Sequence, residues 1–201
     1  TLYMRALHAD GTGELPDGWS LVQEINHEIR TSFPGRITIA EDLQNNEWLT
    51  KDVGAGGAGF SAQWDANFVH PVRATVSVAA DEHRSMDAVR HAISHGYNGD
   101  AFQRVVYSES HDEVANGKAR VPSEIDHEDP ENWFALKRST LAAALVFTAP
   151  GIPMLFQGQE FLQGGWFQDT VPLDWEKTEE YRGILRLYRD LVRLRRNLGG
   201  A

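Results

Sequence analysis

The sequence predicts an α/β fold, a partial TIM (β/α)8 barrel in which residues 1–201 supply about half of a single domain. Three observations carry this expectation. Short apolar runs alternate with amphipathic helical stretches, and strands separated by helices of about 10–15 residues pair in parallel through right-handed crossovers. Four of these runs stop abruptly on polar residues, which suits a barrel's C-terminal face, where its active site lies. The length, 201 residues of which 41% are hydrophobic, allows one sizeable core or part of a larger domain. A doubly wound open sheet is the other arrangement that fits the alternation.

The first element is a helix. From Trp19 to Phe33, the residues Leu21, Val22, Ile25, Ile29 and Phe33 recur at three and four positions, the stripe of a helix lying on a core, and Pro34-Gly35 stops it. Arg36-Ile37-Thr38-Ile39-Ala40 is β-branched and apolar enough for a buried strand, and it ends on Glu41 and Asp42. Gly59–Trp64 reads as a second strand, ending on Asp65. A helical pattern over Arg84–His95 leads to the strand Arg104–Ser108, which delivers Glu109, His111, Asp112 and Glu113. A helix over Trp133–Phe147 leads through Pro150-Gly151 into the strand Ile152–Phe156, which delivers Gln157, Gln159 and Glu160. The last helix, Glu179–Arg196, offers Tyr181, Ile184, Leu185, Tyr188, Leu191, Val192 and Leu194 as its buried face.

Composition excludes several classes. A formal charge of -10 argues against a nucleic-acid partner, because that binding is driven by neutralising phosphates with Lys and Arg. No run of about 18 apolar residues is present, so no membrane span is expected; the longest apolar stretch, Leu141 to Phe147 and on through Pro150, is too short. The absence of cysteine rules out disulfides and thiolate metal sites and fits a reducing, cytoplasmic compartment. The opening on Thr1-Leu2-Tyr3, without an initiator Met or leader, reads as the start of a fragment.

Three patterns suggest other chemistry and are set aside. Gly54-Ala55-Gly56-Gly57-Ala58-Gly59 has the glycine spacing of a dinucleotide-binding turn, but polar residues precede it and a strand-like segment follows, so it reads as a flexible or tight loop. His91 and His95 have zinc-helix spacing, yet Ala92 stands where a metalloprotease has its catalytic Glu, and no third ligand is evident. Ser108 or Ser110 with His111 and Asp112 lacks a nucleophile elbow. No motif calls for a nucleotide, flavin or metal, and no cofactor is expected.

Cleaving an acetal between sugars takes a proton for the departing oxygen and negative charge beside an oxocarbenium-like transition state, which paired carboxyl groups supply. Glu41 and Asp112 are the best-placed pair, each delivered by an apolar strand whose rigid backbone can aim the side chain over the barrel mouth.

The words around them carry a resemblance. Ile37-Thr38-Ile39-Ala40-Glu41-Asp42, Tyr107-Ser108-Glu109-Ser110-His111-Asp112-Glu113 and Gly151-Ile152-Pro153-Met154-Leu155-Phe156-Gln157-Gly158-Gln159-Glu160-Phe161 resemble, in order, the segments around barrel strands five, seven and eight of the α-amylase superfamily, glycoside hydrolase family 13. Gly59-Phe60-Ser61-Ala62-Gln63-Trp64-Asp65 resembles strand six of its glycogen-branching members, so the chain is read as about strands five to eight. The resemblance implies that Glu41 is the general acid/base, that Asp112 stabilises the transition state, and that His111 binds sugar hydroxyls beside the reacting ring. Gln159-Glu160 looks like the polar end of strand eight in these enzymes, with lining the pocket and a structural role as the two readings, and Trp64, Trp48 and Trp166 are candidates for stacking on sugar faces, with buried packing as the default for any single Trp.

Two departures qualify it. Ser110 stands where many members have Asn, which again resembles branching enzymes. The family's nucleophile, an aspartate ending strand four, belongs in a stretch that runs into Thr1–Arg5, so these 201 residues alone are expected to be inactive. His111-Asp112-Glu113-Val114-Ala115-Asn116-Gly117-Lys118 looks like a branching-enzyme stretch, and the expected activity is 1,4-α-glucan branching on an α-glucan substrate, with amylase-type hydrolysis or a non-catalytic glucan- or protein-binding role as the alternatives.

Overall fold

The computed structural model describes residues 15–199; the opening stretch through Thr1–Arg5 lies outside the described residues. Among the described residues, strands β1 (Ile39–Ala40), β2 (Ala62–Trp64), β3 (Arg104–Val106) and β4 (Ile152–Pro153) form one sheet in chain order. β1 pairs in parallel with β2, and β2 with β3, placing Ala40 opposite Gln63 and Trp64 opposite Val105. The α/β expectation with parallel strands is met, in shorter strands than the apolar runs suggest. The helices are α1 (Pro16–Ser32), α2 (Ala66–Ser77), α3 (Met86–Ser94), α4 (Val121–Ile125), α5 (Trp133–Thr148), α6 (Lys177–Glu180) and α7 (Arg182–Arg195). Among the described residues no helix is long and apolar enough to cross a membrane.

The chain divides into two compact units. The first takes in the chain up to Ala66 together with His95–Val105; the second takes in Asn67–Ser94 and the chain from Val106 on.

In the first unit a small core of Ala40, Leu49 and Ala58 is covered by Trp19, Val22 and Phe60. Here the expected stripe of α1 is corrected: Leu21, Ile25 and Phe33 are 56%, 47% and 57% exposed, and the buried residue of the helix is Asn26. The helix docks instead through Trp19, Gln23, Asn26 and Arg30, spaced four, three and four apart on one face. Their side chains donate in order to the carbonyls of Gly56 (3.2 Å), Gly57 (2.7 Å), Ala58 (2.8 Å) and Gly59 (2.9 Å). The glycine-rich segment is therefore a tight loop that presents its backbone to α1. A Cβ at Gly57 would stand 2.1 Å from the Lys51 carbonyl oxygen, so no other residue fits there without moving the backbone. The expected burial of the strand at 36–40 is corrected too: Ile37 and Ile39 are exposed while Ala40 is buried.

The second unit holds the larger core. Phe68, Val72 and Val76 from α2 meet Ala142, Ala143, Val146 and Phe147 from α5 and Ile184, Tyr188 and Leu191 from α7, with Phe147 and Tyr188 edge to face at 5.9 Å. The helix α2 lies between the expected strand at 59–64 and the expected helix at 84–95. Pro71 inside it deprives one turn of a backbone bond, while Phe68, Val72 and Val76 keep a helical spacing that packs. Its C-terminal end is capped by Arg84, whose guanidinium donates to the carbonyls of Thr75 and Val78, and α3 starts at Met86, where Ser85 Oγ accepts the Ala88 N–H at 3.2 Å. The final helical stretch breaks at Tyr181 into α6 and α7, and Leu194, expected on the buried face, is 62% exposed. The last residue of β3, Val106, accepts the Met154 N–H at 2.9 Å, which ties the end of β4 into this unit.

Candidate active site

Parallel strands leave their carboxyl ends on one edge of a sheet, and the residues that follow them are released from regular pairing with side chains free to face a ligand. Glu41 is the first residue beyond β1, and it is exposed. Asp42, beside it, is buried, and its Oδ1 accepts the Gln44 N–H at 2.9 Å, fixing the turn that follows the strand. Trp64, the last residue of β2, is partly buried. Glu41 and Trp64 belong to the first unit, and His111, Asp112, Gln159 and Glu160 to the second.

Asp65, which follows β2, is fully buried, and its Oδ2 lies 3.0 Å from both Arg104 Nη1 and His95 Nδ1. The Tyr97 hydroxyl donates toward Oδ1 at 3.4 Å, and burial together with this carboxylate pushes the Tyr97 phenol up. His95 thus commits Nδ1 to a structural carboxylate.

In the second unit, β3 runs into buried Ser108, Glu109 and Ser110 before the chain turns outward at His111 and Asp112, both half-exposed, with His111 Nε2 at 3.5 Å from Asp112 Oδ1. The two serines are structural acceptors: Ser108 Oγ takes a hydrogen bond from Gln159 Nε2 at 2.9 Å, and Ser110 Oγ from the Glu113 N–H at 3.2 Å. The carboxylate of Glu109 takes the Val121 N–H at 2.7 Å and lies 3.3 Å from Arg120 Nη1, whose guanidinium also donates to the Gln157 carbonyl at 2.9 Å. Burial pushes the Glu109 carboxyl up, and Arg120 pulls against that.

Glu113 is 3% exposed and has three basic side chains around it. Its Oε1 lies 3.1 Å from His70 Nε2 and 3.3 Å from Lys118 Nζ, and its Oε2 is 3.8 Å from Arg73 Nε. Burial opposes its charge, but the His70 hydrogen bond and the Lys118 charge outweigh burial and hold the carboxyl below the ordinary glutamate value. These residues, with Glu124, line a cavity of about 510 Å³. Sequence reasoning delivers Glu113 beside Asp112 but gives it no partner, because Arg73 and His70 sit on α2. The signal that could have found them is the 68-72-76 apolar spacing, which places 70 and 73 on the polar side of that helix.

After β4, Gln159 Oε1 accepts the Phe156 N–H at 2.8 Å and Glu160 Oε2 accepts the Gly158 N–H at 2.9 Å, so both side chains hold the loop that carries them. Trp48 and Trp166 are 43% and 57% exposed, and Lys51 Nζ sits 3.8 Å from the centroid of the Trp48 ring.

By fold, this chain is similar to part of solved pullulanase and α-amylase structures. Pullulanase from Anoxybacillus sp. LM18-11 superimposes with a TM-score of 0.65 over 95% of this chain and 35% of its own, at 17% identity. By sequence, the chain is related to 1,4-alpha-glucan branching enzymes. It is 32% identical over 195 residues to 1,4-alpha-glucan branching enzyme GlgB of Kitasatospora aureofaciens, and 28% identical over 189 residues to that of Methylococcus capsulatus. Each match covers 92% of this chain but 24% of the relative, so the chain spans about a quarter of the length of these curated relatives. No protein-family model matches the chain.

Proposed function

We propose that the complete protein containing this chain is a retaining 1,4-α-glucan branching enzyme, with this chain forming the C-terminal half of its catalytic barrel. The observation that carries the reading is the delivery of Glu41 and Asp112 by parallel strands within a chain related over 92% of its length to branching enzymes. Glu41 protonates the glycosidic oxygen as the bond to C1 breaks, while an aspartate ahead of Thr1 attacks C1 to form a covalent glycosyl-enzyme. Asp112 supplies negative charge to the oxocarbenium-like transition state, and His111 holds sugar hydroxyls next to the reacting ring. Glu41, now ionised, takes the proton of an acceptor 6-hydroxyl as its oxygen attacks C1, which regenerates the nucleophile and leaves a 1,6 branch. Gln159, Glu160 and Trp64 border the substrate path, a cytoplasmic setting accompanies the reading, and neither nucleic acid nor a cofactor enters it.

The complete protein incubated with amylose should raise the proportion of 1,6 linkages seen by proton NMR. Release of reducing ends with no new 1,6 signal would replace branching by hydrolysis. In the same protein Glu41→Gln should lower the rate at least about 100-fold, since general acid catalysis contributes that much, and a rate within about tenfold of wild type would overturn the acid/base assignment.

A further inference from the structure

We propose that Glu113 is a positioning residue that fixes Asp112, an inference that rests on the reading of Asp112 as the transition-state stabiliser. Asp112 is a half-exposed carboxylate on a turn outside any helix or strand, and electrostatic stabilisation works only where the charge is held in place before the transition state forms. The next side chain points into the protein. Glu113 Oε1 is held by His70 Nε2 at 3.1 Å and Lys118 Nζ at 3.3 Å, while its own N–H is held by Ser110 Oγ at 3.2 Å.

Arg73 extends this anchor to both ends of the turn. Its guanidinium donates to the Ser108 carbonyl before the turn and to the Ala119 carbonyl after it, each at 2.8 Å, pairs with Glu124, and faces Glu113 Oε2 at 3.8 Å. Residues 108–119 are thereby pinned to α2 at both ends and at Glu113, the pin nearest Asp112. A cluster that merely stabilised the loop would affect unfolding, not turnover through one particular neighbour.

The experiment is a double-substitution cycle in the complete protein, read as kcat and KM on amylose with thermal unfolding alongside. Glu113→Gln keeps the side-chain shape and removes the charge that Lys118 and Arg73 face and His70 hydrogen-bonds. It should lower kcat by about 10- to 100-fold with KM changed less than about threefold, the pattern of an interaction used in the transition state. In an Asp112→Asn background the same substitution should change kcat by less than about twofold, because no charge is left to position. Equal losses in both backgrounds, or a lowered Tm with kcat within about twofold, make the cluster structural and overturn the proposal. If Asp112→Asn alone leaves kcat within about tenfold of wild type, the reading of Asp112 fails, and the proposal falls with it. Should Glu113→Gln not fold, His70→Gln carries the same cycle from a half-exposed donor; a loss of about three- to tenfold that vanishes in the Asp112→Asn background supports the proposal, and a loss under about twofold overturns it.

Discussion

At the scale of single residues, the acids that follow β3 divide by the partners their side chains meet. Glu109 and Arg120 are each almost wholly buried, and their charges are satisfied by one another, by the Val121 N–H and by the Gln157 carbonyl. Truncating Glu109 to Ala leaves a guanidinium buried without its counter-charge, so Glu109→Ala should lower stability by about 3–5 kcal/mol in urea unfolding. A loss below about 1 kcal/mol would show that water replaces the carboxylate. The sequence could mark Glu41, Asp42, Glu109, Asp112 and Glu113 as strand-end acids, because an apolar run stopping on an acid is a local signal. It could not tell which would turn inward: Glu109 and Glu113 are buried because Arg120, Arg73 and His70 approach them in three dimensions.

At the scale of elements, periodicity located helices better than it chose their faces. The helix at 16–32 and the helix at 133–148 lie where apolar spacing and their flanking residues put them, the latter with the Asn132 side chain accepting the Ala135 N–H at its N-terminus. The buried face of α1 went unread because its contacts are hydrogen bonds from polar side chains to glycine carbonyls, which an apolar count misses. α2 went unread because Pro71 interrupts the pattern, yet its Phe68 is fully buried. Leu21→Ser, on the exposed side of α1 in this chain, should therefore change stability by less than about 0.5 kcal/mol, whereas Phe68→Ala should cost about 3–5 kcal/mol. Comparable losses from the two in chemical denaturation would mean that the stripe on α1 is packed after all.

At the scale of the whole molecule, 29 acidic residues stand against 19 Lys and Arg, and buried Glu113 is a carboxylate that has basic partners close by. Glu113 is held below the ordinary glutamate value of 4.5 when folded. A carboxyl lowered by folding contributes stability above its unfolded value, and that contribution is lost as the pH falls through the lowered folded value. The stability difference between wild type and Glu113→Gln, measured by urea midpoints, should be full near neutral pH and should shrink as the pH drops below about 4.5. A difference that stays constant from neutral pH down to about pH 3 would assign the effect of Glu113 to shape instead of charge. The parallel order of the sheet was legible because alternation of strands and helices leaves few topologies. The candidate site was legible only as residues following strands, since the shape around them is set by loops that no periodic signal describes.

The seating of α1 on Gly56–Gly59 also bears on how the chain can vary. Surface loops commonly absorb extra residues, because nothing depends on their exact length. Here four successive carbonyls answer four side chains of one helix face in order, so a single inserted residue would slip each acceptor past its donor together. The length of this loop is thus as fixed as that of a strand, and length variation in this part of the chain has to fall elsewhere.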